Sequence, residues 1–416
     1  MPSSSMLPFV LLATGRLVSS IGNAVAPIAL AFALIQSGGS AGDIGLVLGA
    51  RAVAVVASLL FAGVLADRFP LRSVLVTASL LAAAAQAAAA ALILAGNAHI
   101  WLLAALQLGN GLAAALLFPA TNAALPRAVP SERLQQANAL VRLGANSTMI
   151  GGAALGGLLV AAVGPGWSIA ADALSFVVSA ALFAGIRLTP ARAGGPRQSA
   201  LRDLAEGWRD VRSRTWLWVC VCQAAVVNAA IAAGFEVLGP VAAQEHWGGA
   251  GAWGIVVAAQ AAGLVAGGIA AAWSRTSRPL FAGVAALLLV APLPAALASA
   301  VPLPLVAGVA FLAGAGLEVF AVNWNVMLQR HVPAERLSRV YAYDALGSNA
   351  VVPLGNALAG PAQAAFGLAG ALWGSALTIA AATACALSVR EVRELPAHET
   401  REPENRELRC RTAPRP

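Results

Sequence analysis

The sequence predicts an all-α integral membrane protein, with twelve transmembrane helices arranged as two pseudo-symmetric six-helix bundles. Three observations carry this. Hydrophobic residues make up 59% of the 416-residue chain and charged residues only 11%, against roughly 25% charged in an ordinary soluble protein. Apolar runs of about 20 residues recur, each long enough to cross roughly 30 Å of hydrocarbon as a helix. A segment near residue 130 returns 203 residues later. Mean hydropathy is +0.78, more apolar surface than a soluble globular enzyme can hide. A membrane barrel is excluded because its strands alternate apolar and polar residues.

The spans fall at about 9–35, 43–66, 73–95, 100–126, 139–163 and 168–187, then at about 216–239, 252–273, 280–299, 303–328, 340–364 and 367–389. Pro292, Pro294, Pro302 and Pro304 interrupt the run over 280–328. All 26 basic residues are Arg, and with 18 acids they leave a net charge of +8. A basic excess can mark a nucleic-acid binder, but here its placement is topological. Arg68 and Arg72 follow span 2, Arg127 and Arg133 span 4, and Arg192, Arg197, Arg202, Arg209, Arg212 and Arg214 span 6. Arg275 and Arg278 follow span 8, Arg330, Arg336 and Arg339 span 10, and seven more lie from Arg390 onward. The alternate loops, near 36–42, 96–99, 164–167, 240–251, 300–302 and 365–366, carry none. This places both termini in the cytoplasm and supports an even number of spans. Residues 1–8 lack a basic stretch, so no cleaved signal peptide is expected. The expected location is the cell (inner or plasma) membrane, with the lipid bilayer and no nucleic acid as partner.

The longest loop divides the chain into an N-terminal bundle (1–187), a cytoplasmic linker (188–215), a C-terminal bundle (216–390) and a tail (391–416). In the linker, Leu201, Leu204, Ala205, Trp208 and Val211 fall near helical spacing with charges between, which predicts an amphipathic helix on the membrane surface. The tail is rich in Arg, Glu and Pro and is expected to be disordered. The bundles are copies. Val129-Pro130-Ser131-Glu132-Arg133-Leu134 matches Val332-Pro333-Ala334-Glu335-Arg336-Leu337, and Asn122, Gly152 and Gly157 match Asn325, Gly355 and Gly360. A parallel repeat of this kind encloses a cavity between its halves.

Ionisable residues at membrane depth are expensive and mark candidate sites. Glu318, halfway along span 10, is the clearest, suited to bind a proton or hold a cationic group, or else a buried acid bonded to a neighbouring helix. Arg16 in span 1 pairs with a carboxylate or an anionic substrate, or snorkels to the surface. Arg51 in span 2 and Glu236 in span 7 lie toward the outer side and are candidates for an outer gate. Asp172 is read as beginning span 6, stabilised by the helix N-terminus. Arg142 and Asp344, at the inner ends of spans 5 and 11, are read as inner-gate or interface residues. Asn23, Asn122, Asn323 and Asn325 add polar groups, Asn325 sharing a helix face with Glu318, and Trp324 is either a stacking platform or packing. Gly152, Gly156 and Gly157 permit close helix approach. The Cys and His spacings predict neither a metal site nor a cofactor.

The loop Gly63-Val64-Leu65-Ala66-Asp67-Arg68-Phe69-Pro70-Leu71-Arg72 resembles the signature loop of the major facilitator superfamily, matching at Gly63, Asp67, Arg68 and Arg72 and departing at Pro70 and Leu71. Gly152-Ala153-Ala154-Leu155-Gly156-Gly157 resembles that family's antiporter motif, with Ala153 in its Pro position. The opening Gly15-Arg16-Leu17-Val18-Ser19-Ser20-Ile21-Gly22-Asn23 is similar to the bacterial branch that includes macrolide and siderophore exporters. The resemblance implies that Asp67 latches against the start of span 11, near Tyr341–Asp344.

Together these readings predict no enzyme but a secondary active transporter. They point to proton-coupled efflux of small amphiphilic compounds by alternating access, with a small-molecule substrate and protons as partners and a monomer as the working unit. An uncoupled facilitator or importer of the same fold, and a non-transporting membrane sensor, are the alternatives.

Overall fold

The computed structural model describes residues 6–130, 133–186, 212–274 and 276–396. Every regular element among them is helical. The first six spans are α1 (Leu7–Gln36), α2 (Ala41–Arg68), α3 (Leu71–Leu94), α4 (Ile100–Ala128), α5 (Leu134–Val163) and α6 (Pro165–Ala184). Span 7 is α7 (Thr215–Ile231), continued through a π-helical turn (Ala232–Val237) into α8 (Leu238–His246). Span 8 is α9 (Ala250–Trp273), and span 9 is α10 (Pro279–Ala286) and α11 (Pro292–Ala298) around a short 3-10 turn. Then come α12 (Leu303–His331), α13 (Ala334–Asn349), α14 (Val352–Ser388) and a short α15 (Arg390–Glu394).

Ten of these stretches are long and apolar enough to cross a membrane. The longest, Val340–Ser388, makes two crossings because Gly367, at φ 71° and ψ 170°, breaks it. With α5, a 30-residue helix about 45 Å long, the crossings number twelve. Exposed aromatics ring both ends, among them Trp101 and Trp167 at one and Phe69 and Trp273 at the other, as expected at membrane interfaces. The chain is a multi-pass membrane protein.

The repeat is visible in the helix ends. Ile100–Ala128 and Leu303–His331 have identical lengths and a displacement of 203 residues at both ends. Gly164 (φ 84°, ψ 165°) ends α5 in the left-handed region, and Gly367 makes the equivalent break 203 residues later. Only glycine takes that backbone without steric cost. Between α13 and α14 the chain bends because Pro353 offers no N–H to the carbonyl of Asn349.

The halves meet along two equivalent seams, α5 against α9 and α2 against α14. Their apolar cores show where they meet. One cluster draws on both halves, with Phe32, Ile44 and Leu103 beside Leu238, Trp253 and Leu372, and it lies toward the end whose loops lack Arg. At the Arg-bearing end the clusters stay separate. Phe9, Leu75, Leu125 and Phe183 belong to the first half, and Trp216, Leu280, Met327 and Leu328 to the second. Among the described residues, then, the apolar core joins the halves at the Arg-free end, and the clusters at the other end each stay within one half.

The expected disorder from residue 391 begins too early. Val392 is fully buried in the cluster around Trp216, and the Trp216 backbone N–H donates to the Glu391 carboxylate at 3.0 Å. These contacts outweigh the polar composition. Residues 397–416, and residues 187–211 with the predicted amphipathic helix, lie outside the described residues.

Candidate functional site

A cavity of about 660 Å³ lies between the two halves. Spans 1, 2, 4, 7, 8 and 11 contribute its wall, and among the described residues lining it the charged or amide-bearing ones are Arg51, Glu236, Asn349 and Asn356. The remainder is aliphatic or aromatic, with Phe118, Phe235 and Trp253 the aromatic members. Phe235 and Trp253 pack with ring centroids 4.7 Å apart.

Arg51 lies about 15 Å along α2 from its Arg-free end, roughly a third of the helix. Its Nε donates to Asn110 Oδ1 at 3.1 Å and one Nη to Asn23 Oδ1 at 3.1 Å. Two amide oxygens on two other helices therefore fix the guanidinium plane, which has five donors in a rigid fork. Two carboxylates act on it through space, Asp172 from its own half and Glu236 from the other. Arg51 and Glu236, expected at an outer gate, both line the cavity, with no direct ion pair between the two among the described residues.

Asp172 corrects the sequence reading. Helix α6 begins at Pro165, so Asp172 is inside the helix and 1% exposed, beyond the reach of the N-terminal amides. Its carboxylate instead accepts a 2.6 Å hydrogen bond from Gln86 Nε2, and Gln86 Oε1 accepts one of 2.9 Å from Gln107. Gly22 of α1 lets the carboxylate approach, since a Cβ there would collide with Asp172 Oδ1. Asp172→Leu leaves the Gln86 amide without an acceptor. We expect a stability loss of about 2–3 kcal/mol, read as a lowered thermal midpoint of the purified protein, with Asp172→Asn losing less.

Glu236 sits in the π-helical turn, a local widening that re-aims side chains and recurs at functional sites. Pro240, four residues on, removes the N–H that would have bonded the Glu236 carbonyl. Ala232, Gly234 and Val237 of the turn are buried, while the Glu236 side chain opens into the cavity. It has no hydrogen-bond or ion-pair partner among the described residues.

Glycine contacts close the cavity's Arg-free end. Gly157 of α5 rests against Gly254 of α9, and its repeat mate Gly360 rests against Gly42 of α2, backbone on backbone. Gly45 meets the Asn356 carbonyl on the second seam. Gly152 and Gly156 serve the first half instead, seating α5 on Ala24 and Val25 of α1.

The sequence model of the Major Facilitator Superfamily matches residues 12–343. The chain belongs to that superfamily. An uncharacterized MFS-type transporter of Bacillus subtilis, YvqJ, is 26% identical over 280 residues, which is 66% of either chain. A point mutant of the nucleoside transporter NupG superposes with a TM-score of 0.75 at 12% identity, over 92% of this chain and 98% of its own. A bacterial homologue of the lysosomal transporter Spinster, in an inward-facing, unoccupied conformation, superposes at 0.74 with 16% identity, over 92% and 97%. The protein is a membrane transporter of the major facilitator fold, not an enzyme.

The other sequence-predicted residues of this major facilitator chain lie away from the cavity. Arg16 donates to Asn122 Oδ1 at 3.1 Å beside a smaller pocket of about 140 Å³, seven residues toward the Arg-bearing end from Asn23. Glu318 is half-buried beside Gly268 of α9 and does not line the cavity, although Ala115, its repeat mate, does. Asn323 and Asn325 donate back to the carbonyls of Val319 and Ala321 in their own helix. Trp324 is a packing residue, 6% exposed, stacked on Phe320 and donating to Asp344 Oδ2 at 3.0 Å. Asp344 thus holds spans 10 and 11 together within one half. Arg72 donates to the Ala184 carbonyl at the end of α6, one of the unpaired carbonyls a helix terminus leaves. The surroundings of Gly63 and the side chains of Asp67, Arg68 and Arg142, and with them the latch, lie outside what the structure describes. Sequence reasoning missed Asn110, Asn349, Asn356, Gln86 and Gln107. The available signal was a lone amide inside an Ala-, Leu- or Gly-rich run.

Proposed function

We propose that this chain is a proton-coupled secondary active exporter of small amphiphilic compounds, working as a monomer by alternating access in the cell membrane, with both termini cytoplasmic. The observation that carries this reading is the unpartnered Glu236 carboxylate, open to an apolar chamber between the two halves and facing a fixed Arg51. A carboxylate at membrane depth is costly unless a proton or a cation neutralises it. Exchange of one for the other couples proton entry to cargo exit. The one-sided arginines make the separated end cytoplasmic, so the cavity loads from inside. Aliphatic and aromatic walls suit amphiphiles better than sugars, whose sites need dense hydrogen bonding. Placement near macrolide and siderophore exporters rests on the Gly15–Asn23 segment.

Proteoliposomes with an imposed pH gradient test it. We expect uphill movement of a lipophilic drug probe that collapses when a protonophore is added. Movement that only equilibrates the probe, whatever the gradient, overturns the coupling and leaves a facilitator.

A further inference from the structure

We infer that the cargo is an amphiphilic ammonium ion carrying at least one N–H, recognised jointly by Glu236 and the side-chain oxygen of Asn356. The inference takes the cavity as the cargo chamber, as the proposed function does. It adds the cargo's chemistry and a residue that reads it.

Two acceptors at the cavity lack a donor among the described residues. Arg51 already spends two N–H groups on Asn110 and Asn23, and Asn349 Nδ2 donates to the Ala345 carbonyl. Arg51 keeps three N–H groups, and the unpaired acceptors include the Glu236 carboxylate and Asn356 Oδ1. Asn356 is 1% exposed, lines the cavity, and its Oδ1 accepts no hydrogen bond. Its backbone packs closely on α2, with the carbonyl against Gly45 and the Cβ 3.5 Å from where a Gly49 Cβ would stand. A buried acceptor left unpaired costs about 1–3 kcal/mol, which a ligand donor recovers. The Glu236 carboxylate, also unpartnered, is acceptor-only when ionised.

The charges are unbalanced in the same sense. One guanidinium stands against two carboxylates, Asp172 and Glu236. Asp172 is buried against Gln86 and does not line the cavity, so the carboxylate that a ligand can reach is Glu236. The site as built takes one monocation. The Phe235–Trp253 pair and Phe118 add ring faces on which an alkylammonium gains further attraction. The volume suits a drug-sized molecule rather than a bare ion.

Calorimetry on the purified full chain in detergent tests this with three probes of matched shape. Phenylbutyl dimethylamine, protonated at neutral pH, has charge and one N–H. Phenylbutyl trimethylammonium has charge and no N–H, and phenylpentanol has no charge. We expect the first to bind about tenfold or more tighter than the second, as for a hydrogen bond to a charged group, and the alcohol to bind weakest. Asn356→Leu should erase the preference between the two cations. Glu236→Gln should erase the preference of both cations over the alcohol. Should Asn356→Leu fail to fold, Asn356→Asp decides, with tighter binding of both cations expected. Equal binding of all three probes, no binding of any, an N–H preference surviving Asn356→Leu, or no gain in Asn356→Asp overturns the inference. Ammonium binding without pH-driven flux would instead refute the exporter reading and leave the recognition intact. Flux of a neutral compound without ammonium binding would do the reverse.

Discussion

Glu236→Gln should abolish pH-gradient-driven flux while the protein still inserts and folds. The size of the effect follows from what the carboxylate does. A charge at the bilayer centre costs about 2.5–3.5 kcal/mol, and removing that charge removes the free-energy difference between neutralised and bare states. At about 1.4 kcal/mol per factor of ten, driven flux should fall by about a hundredfold. Gln keeps the size and hydrogen-bonding reach of Glu, so packing around the π-helical turn should survive. Glu318→Gln is the control. That residue lies beside Gly268 and outside the cavity, so driven flux should change little. Flux rates in proteoliposomes, normalised to inserted protein, decide between them. If Glu318→Gln abolishes driven flux and Glu236→Gln spares it, the exchangeable proton belongs to span 10 and the cavity assignment is wrong.

That contrast shows how far the residues alone could lead. The spans were legible because apolar runs of membrane length have few other uses, and their ends agree within a few residues with those of α1 to α6. The repeat was legible for the same reason, since Gly157 and Gly360 hold the same place in their halves. The site was only half legible. Glu318 drew attention as a lone acid at mid-depth, but depth does not give the direction a side chain takes around the helix. Glu236 was visible as a charge, yet its opening into the cavity depends on a π-helical turn that hydropathy does not encode. Asp172 was misplaced because span 6 begins at Pro165 rather than near residue 168, and three residues of error moved it from a helix end to an interior network. Trp324 could be a platform or a packing residue until Phe320, Trp216 and Asp344 were seen around it. Asn356 shows in the sequence only as a lone amide in an apolar run, because its distinction is an unpaired oxygen and pairing is a property of the fold.

Gly157→Val should hold the Arg-free end of the cavity open. A Cβ at residue 157 would fall on the Gly254 Cα and within 2.9 Å of the Ala250 carbonyl oxygen, and these are backbone atoms that cannot rotate aside. Overpacking of this kind costs about 1–3 kcal/mol. The cost falls only on the arrangement in which α5 and α9 touch. A transporter whose states lie close in energy is shifted several-fold or more by such a bias. Alternating access needs the seal to form once per cycle, so transport should drop to the background of empty liposomes. The seal can be read directly. With the native cysteines replaced and a single Cys placed at Ala52 in the cavity wall, a membrane-impermeant maleimide added from the Arg-free side should label Gly157→Val and not its parent. Gly360→Val, on the equivalent seam against Gly42, should behave alike. Gly151→Val, where an added Cβ meets no described atom within 4 Å, should leave labelling and flux unchanged. Were Gly157→Val to transport normally and stay protected from the reagent, the glycine pairs would be ordinary helix packing and the seal would have to lie elsewhere along the seam.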